Sequence, residues 1–408
     1  QADLFHGHGV TVSRNRRGVE VLQTFPSYDS KKARSMKLLL FIPNLCSGGA
    51  QQVAILLSSG LISLGHDVHI ASPSLQGELI SRVNPKCLLE DLKKAKPIHA
   101  QRRLAALVNS LRPDAVICFG IYTGIAAALS RARWKSRPVF LIRNENNLML
   151  DWREGTILNR VIGPPLSRWA ARRAHIIAVS ESLKNPTAGY LRIPSSRIHT
   201  ILNPVFDDTI SASSEIDTPL HPWLQDSEYP TFVAMGRLEH QKGFDTLIDA
   251  FALVRNKTDA RLIIFGQGSL QGLLQKKINA YGLDQTITLA GHTDHPTEQM
   301  RAAHAFVLSS RFEGFGLVLV EAMMARTRII STDCDFGPAE LLRNGSYGKL
   351  VPVDDVKTLA DAMVQSLQEP WVVKFPDEKW FAQFTATEAA RQHVALIEKL
   401  CGSSGDLC

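Results

Sequence analysis

EGFGLVLVE, residues 313–321, sets two glutamates eight positions apart around a Gly-aromatic-Gly turn that runs directly into an apolar segment. Gly314 and Gly316 open backbone angles closed to other residues and leave no side chain to fend off a ligand. A helix beginning at Leu317 turns its free N–H groups and the positive end of its dipole toward whatever lies over the turn, by preference an anion. On that geometry Glu313 stands on the rim and Glu321 lies one helical turn inside, on the same side. A pyrophosphate flanked by two sugars meets all three features. An exposed loop glutamate followed by an ordinary helical one is the competing reading, and this stretch alone does not separate the two.

Upstream, GRLEHQKGFD (236–245) follows the apolar run Thr231–Met235, which reads as a buried strand with Gly236 at its exit. Arg237 and Lys242 fall in one short loop before a helical pattern that starts at Phe244 and continues through Leu247, Ile248, Phe251 and Val254. Two cations at the carboxyl end of a strand suit a diphosphate. A charge-assisted hydrogen bond is worth roughly 1.5–3 kcal/mol, and arginine can grip two oxygens at once. Two solvated surface charges remain the alternative. A third element, PNLCSGGAQQ (43–52), follows the apolar run 37–42. Ser47, Gly48 and Gly49 read as a glycine turn, and a helix opens at Ala50 with Val53, Ala54, Leu57, Leu61 and Leu64 on its apolar face. Strand, Gly-Gly loop and helix form an anion-ready geometry, although the G-x-G-x-x-G spacing of a dinucleotide fold is missing.

In this order and spacing the three elements resemble the family 4 retaining glycosyltransferases of the GT-B fold. The resemblance rests on the GGA loop at 48–50, the GR-x(4)-KG run, and the E-x7-E signature inside SSRFEGFGLVLVEAM (309–323). GPAELL (337–342) and YGKLVPVDD (347–355) add to it. It covers roughly residues 36–400 and is densest from 231 to 356. It implies an α/β protein of two Rossmann-like domains facing across a cleft, with a C-terminal helix that crosses back to the first. The domains then run 36–206 (acceptor side), 231–376 (nucleotide-sugar side) and 377–408 (crossover helix and tail), after an N-terminal extension 1–35 and around a linker 207–230.

The resemblance also assigns roles. Glu313 grips donor-sugar hydroxyls beside the reacting centre, and Glu321 accepts from the ribose hydroxyls. Arg237 and Lys242 neutralise the departing phosphates, so no metal and no cofactor are expected. Gly236, Gly266, Gly314, Phe315, Gly316, Leu317 and Val318 line the donor site. Gly48 and Gly49 let the first domain's loop close over the phosphates. Retention of configuration is carried over in the same way, with a UDP-sugar as the expected donor and a glycan or lipid-linked molecule as acceptor. One departure stands out. Many relatives place a histidine after the first domain's fourth strand, where this chain reads VFLIRNENNLM (139–149). Arg143, Asn144 and Glu145 are candidate contacts with the sugar or acceptor there, and a polar cap on the following loop is the equal alternative.

Composition fits a machine of this kind. A chain of 408 residues exceeds the size at which one core stops growing. Its 45% apolar content contains no run long enough to span a bilayer. Six cysteines lie scattered without a C-x-x-C, which reads as reduced thiols in a cytoplasmic protein. Apolar runs near 37–42, 67–72, 114–119, 138–142 and 175–179, then 231–235, 260–265, 286–290, 304–308, 328–332 and 348–352, alternate with helical patterns and predict parallel sheets in both halves. Residues 1–35 show no periodicity and no secretory apolar stretch, and 207–230 are polar and proline-rich.

A net charge of +7 favours anionic partners. Lys93, Lys94, Lys96, Arg102 and Arg103 gather in the first half, as do Arg168, Arg172 and Arg173 beside Leu166 and Trp169. They are a candidate anionic-membrane contact on the inner face of the cytoplasmic membrane, or a solvated face. No aromatic-studded motif speaks for nucleic acid. Asp333-Cys334-Asp335 imitates a D-x-D metal motif, but it follows the predicted strand 328–332, where the family has a turn. Among other classes, a non-catalytic nucleotide-sugar-binding partner of a glycan-assembly complex is the main alternative. An epimerase of the same fold lacks the E-x7-E run, and nothing marks the lysine a phosphorylase would need.

Overall fold

The structure is a computed structural model and describes residues 10–14, 20–24, 34–46, 48–146, 148, 157–208, 221–226, 228–368 and 374–402. The chain forms two compact units, residues 1–209 with 382–408, and residues 210–381.

The first unit is built on a seven-stranded parallel sheet. Near the start, β1 (Val10–Arg14) and β2 (Glu20–Thr24) pair antiparallel with each other. The sheet itself comprises β3 (Lys37–Phe41), β4 (Asp67–Ser72), β5 (Leu88–Asp91), β6 (Ala115–Phe119), β7 (Val139–Asn144), β8 (His175–Ala178) and β9 (Ile198–Thr200), in the order β5-β4-β3-β6-β7-β8-β9. Its central strands are covered on both faces, which is why they read as unbroken apolar runs and not as alternations. Leu38 to Ile42 and Ala115 to Cys118 are completely buried. The helix Ala386–Gly402 belongs to this unit and packs against the helix Gly49–Ser63. Its buried residues Ala386, Ala389, Ala390, His393, Val394 and Ile397 recur at helical spacing, so one face is made for that contact. The chain thus leaves the first unit, builds the second, and returns.

The second unit has six parallel strands, β10 (Thr231–Met235), β11 (Arg261–Phe265), β12 (Ile287–Gly291), β13 (Ala305–Leu308), β14 (Arg328–Thr332) and β15 (Lys349–Val351), in the order β12-β11-β10-β13-β14-β15. Phe232, Phe251, Leu247, Ile264 and Met363 lie in its core between the sheet and the helices Phe244–Arg255 and Val356–Gln368. In each unit the strand order reverses once, between β3 and β6 and between β10 and β13. Such reversals leave a crevice at the carboxyl ends of the two strands, the usual ligand position in open α/β sheets.

All eleven strands expected from apolar runs are present, with ends shifted by no more than about two residues, as is usual for boundary assignment. Four strands are additional: β1 and β2 fall within residues 1–35, where the sequence shows no periodicity, and β5 and β9 are edge-side pieces of four and three residues without a long apolar run. The helix expected from Ala50 begins at Gly49, while Ser47 lies outside the described residues. Most of the polar stretch 207–230 also lies outside them. Its end forms the short helix Pro222–Gln225, whose Trp223 stacks on Arg261. No helix among the described residues is long and apolar enough to cross a membrane.

Candidate active site

Two loops leave the sheet of the second unit at its strand-order reversal: 236–243 after β10 and 309–316 after β13. They are joined by hydrogen bonds. Ser309 Oγ donates to the Lys242 carbonyl at 2.8 Å. The Arg311 N–H donates to the Gln241 carbonyl at 2.8 Å, and Gln241 Nε2 donates to the Phe312 carbonyl at 3.0 Å. Arg311 anchors the second loop by a two-pronged contact with Asp245, at 2.9 and 2.8 Å, and a further one with Asp354 at 2.9 Å. Bidentate pairing of this kind fixes orientation as well as charge.

On this frame Lys242 Nζ meets Glu313 Oε1 at 2.6 Å. Ser310 Oγ donates to the same oxygen at 2.6 Å. Glu313 is only 5% exposed, so a carboxylate that would otherwise be costly to bury is held by one cation and one hydroxyl. An ammonium has three donors. Lys242 therefore keeps capacity for a second anion while it holds Glu313. Arg237 is exposed, and its Nη2 donates to Gln241 Oε1 at 3.2 Å. Gln241 thus links the outer cation to the loop that carries Glu313. The loop after β11 comes close beneath: a Cβ on Gly266 would stand 1.8 Å from the Gly236 carbonyl, so only glycine allows this approach. Glu239 ties down the same region, accepting from Ser269 N and Oγ at 2.8 and 2.7 Å.

The helix Leu317–Met324 starts at the residue the sequence predicts. Gly316 precedes it at φ 90°, a left-handed angle that admits glycine readily. The N–H of Leu319 turns back to the Gly316 carbonyl at 2.9 Å. Among the described residues, the N–H groups of Gly316, Leu317 and Val318 have no protein acceptor. Phe315, within the turn, is buried. Glu321 sits one turn into the helix, partly exposed, and makes no side-chain hydrogen bond among the described residues. Burial raises its pKa to about 7, with Lys242 pulling the other way. The two glutamates therefore both address Lys242, one by contact and one through its field, as their spacing implies.

The remaining sequence candidates lie in the first unit. Gly48 and Gly49 open the helix Gly49–Ser63 at the carboxyl end of β3, beside that unit's own strand reversal. Arg143, at the end of β7, is completely buried. Its guanidinium contacts Glu145 Oε1 at 2.9 Å, His393 Nε2 at 2.7 Å and Asn203 Oδ1, and lies 5.6 Å from the Phe119 ring centre. His393 Nδ1 faces the Ala389 carbonyl at 2.6 Å, so its proton sits there and Nε2 accepts from Arg143. Burial first, then Arg143, lowers the His393 pKa to about 3. Asn144 is also buried and donates to Thr187 Oγ1 at 2.8 Å, while its Oδ1 has no partner among the described residues. Arg143 thus ties the end of β7 to the C-terminal helix, and Glu145 is the member of the triad nearest solvent. Asp333 and Asp335 are exposed on either side of buried Cys334. Among the described residues, no group of three or more His, Cys, Asp or Glu side chains gathers as a metal site.

Sequence reasoning did not single out Ser310, Gln241, Arg311 or Glu239. Ser310 lies within the quoted signature stretch, three residues before Glu313, and a serine at that spacing from a buried carboxylate was the available signal.

Residues 220–379 match the family described as Glycosyl transferases group 1, and residues 47–208 match Glycosyltransferase Family 4. The alpha-D-kanosaminyltransferase of Streptomyces kanamyceticus is 27% identical over 53% of this chain; the matched part is 58% of that relative's length. The N-acetylgalactosamine-N,N'-diacetylbacillosaminyl-diphospho-undecaprenol 4-alpha-N-acetylgalactosaminyltransferase of Campylobacter jejuni is 25% identical over 82% of this chain and 90% of its own. Among solved structures, Anabaena HepE in complex with UDP-glucose shares the fold at a TM-score of 0.66 and 17% identity, covering 90% of this chain and 99% of its own. With both units matched and the sheets of the fold in place, the chain belongs to the family 4-like glycosyltransferases of the GT-B fold.

Proposed function

We propose that the protein transfers a hexose or N-acetylhexosamine, with retention, from a UDP-sugar to a glycan or lipid-linked acceptor in cell-surface polysaccharide synthesis, without a bound metal. The observation that carries this reading is the Lys242–Glu313 contact of 2.6 Å beside the uncapped N–H groups at the start of the helix Leu317–Met324. It puts a cation, a helix N-terminus and a carboxylate at one strand reversal, which is what a sugar diphosphate needs. The leaving diphosphate gathers negative charge as the anomeric carbon becomes cationic. Lys242, Arg237 and the N–H groups of Gly316, Leu317 and Val318 stabilise that charge, and they do so most strongly where it develops. Glu313 accepts from hydroxyls of the donor sugar, held in place by Ser310. Glu321 accepts from the ribose.

A UDP donor is supported by the fold relative seen with UDP-glucose. A lipid-linked acceptor is supported by the undecaprenol carrier in the name of the Campylobacter relative. Such an acceptor places the protein peripherally at the inner face of a membrane. The test is a screen of UDP-, GDP- and ADP-sugars for hydrolysis or transfer, with and without excess EDTA. The reading expects UDP-sugar turnover that survives EDTA. Tight UDP binding with no turnover on any donor favours a non-catalytic binding role instead.

A further inference from the structure

VFLIRNE, residues 139–145, carries β7 out at the carboxyl edge of the first unit's sheet, and its polar end is assembled from distant parts of the chain. The side chain of Arg143 is completely buried. Its Nε donates to Glu145 Oε1 at 2.9 Å, Nη1 to His393 Nε2 at 2.7 Å, and Nη2 to Asn203 Oδ1. The contact with Glu145, two residues on, is the one that strand alternation allows. Asn203 follows β9, and His393 stands on the helix Ala386–Gly402, so this edge is completed only by the returning end of the chain. Asn144, between them, is tied by Thr187 Oγ1 and fixes the strand end from its other face.

Stability does not account for the arrangement. A buried ion pair seldom outweighs the cost of drying its charges, and apolar groups of like volume hold two elements together at least as well. What the polar set achieves is orientation. A planar guanidinium gripped at both Nη atoms presents its Nε in one direction, and Glu145 lies in that direction. The Glu145 side chain is only 10% exposed. Arg143 holds one of its carboxylate oxygens; the other has no hydrogen-bond partner among the described residues. A nearly buried oxygen of this kind is costly to leave unfilled, and it stands at the edge where open α/β sheets receive their ligands.

We propose that Glu145 binds hydroxyl groups of the acceptor sugar, with Arg143 positioning Glu145 and with His393 and Asn203 positioning Arg143. This rests on the glycosyl-transfer reading and adds the chemistry of the acceptor, a neutral hydroxylated ring at this corner. A carboxylate accepts from hydroxyls and repels phosphates. Arg143, turned inward and fully buried, offers no charge to a phosphate in compensation.

The test measures the full chain, with UDP present, against octyl glycosides of glucose, galactose, N-acetylglucosamine and N-acetylgalactosamine by saturation-transfer NMR. The parent is expected to bind at least one of them. Glu145→Gln keeps the shape and removes the charge; it should weaken that glycoside roughly tenfold to a hundredfold while calorimetry finds UDP affinity unchanged. His393→Leu should weaken the glycoside too, and His393→Gln, whose amide oxygen accepts from Arg143, should restore most of the loss. If His393 only fills space, leucine is the better replacement and the order reverses. No glycoside bound by the parent, parent-like binding in Glu145→Gln, or a leucine variant that binds as well as the glutamine one overturns the proposal. So does a raised KM for the UDP-sugar in Glu145→Gln with glycoside affinity unchanged, which puts the residue on the donor. Each of these failures leaves UDP-sugar turnover by the parent standing. Glycoside binding that depends on Glu145, in a chain that turns over no UDP-sugar, sinks the transferase reading alone.

Discussion

Glu321→Gln is the substitution whose outcome the structure constrains most tightly, because it makes two linked predictions. Burial raises the folded pKa of Glu321 to about 7, against an ordinary value of 4.5. Below about pH 4.5 the carboxyl is protonated in folded and unfolded chains alike and contributes no difference. As pH rises from there toward 7, the unfolded chain releases its proton first and folding is progressively penalised. Above pH 7 the full penalty holds, at most about 3–4 kcal/mol, since each tenfold change in proton affinity is worth about 1.4 kcal/mol. Partial solvent contact screens the charge and makes the penalty smaller. Glutamine removes it. The variant should therefore melt above the parent at pH 8 and alongside it at pH 4.5, with each kcal/mol moving the melting point by roughly 2–4 °C. If ribose hydroxyls donate to the ionised carboxylate, the parent's affinity for UDP should fall below pH 7, by up to about tenfold per pH unit. The variant should bind UDP more weakly at pH 8 and show a shallower slope, the remainder being that of the terminal phosphate of UDP, which titrates at about pH 6. Differential scanning fluorimetry across pH and calorimetric titration with UDP read both. A melting difference that does not change with pH, or a UDP slope as steep in the variant as in the parent, refutes the reasoning.

Lys242→Ala should lower kcat on the order of 10²–10³-fold, the scale for losing one preorganised charge-stabilising donor, and intact turnover would remove it from the mechanism. Because this change strands a buried carboxylate, it should also cost stability, by up to about 3–5 kcal/mol; Glu313→Gln, which keeps the Ser310 contact, should lose comparable turnover with a smaller drop in melting temperature. Gln241→Leu should slow turnover by up to about a hundredfold through misplacement of Arg237 and the Phe312 carbonyl, and unchanged kcat would show the bridge to be incidental. Excess EDTA should leave activity unaltered, whereas strict dependence on manganese would bring Asp333 and Asp335 back as metal ligands.

The architecture was legible because buried parallel strands need apolar runs, and glycines mark where those runs end. Thr231–Met235 followed by Gly236 is a strand and its exit, and Gly316 before Leu317 is a helix start. The candidate residues of the second unit were legible for a related reason: each lies in a short loop after an apolar run, Arg237 and Lys242 after β10 and Glu313 after β13. Arg143 shows where this fails. As a polar group at a strand end it reads equally as a ligand contact or a cap, and the partners it has in the structure, Asn203 and His393, stand 60 and 250 residues away. No local pattern carries that information. Gln241 joins two loops 71 residues apart and was hidden for the same reason. β5 and β9 were too short to show a period.

The central claim is that the second unit clasps a sugar diphosphate at the reversal between β10 and β13. Crystals soaked with a UDP-sugar or UDP test it most directly. Density for the diphosphate should lie within hydrogen-bonding distance of Lys242 Nζ and the N–H groups of Gly316 to Val318, with the ribose on Glu321. A diphosphate bound elsewhere, with the Lys242–Glu313 pair untouched, would contradict the account.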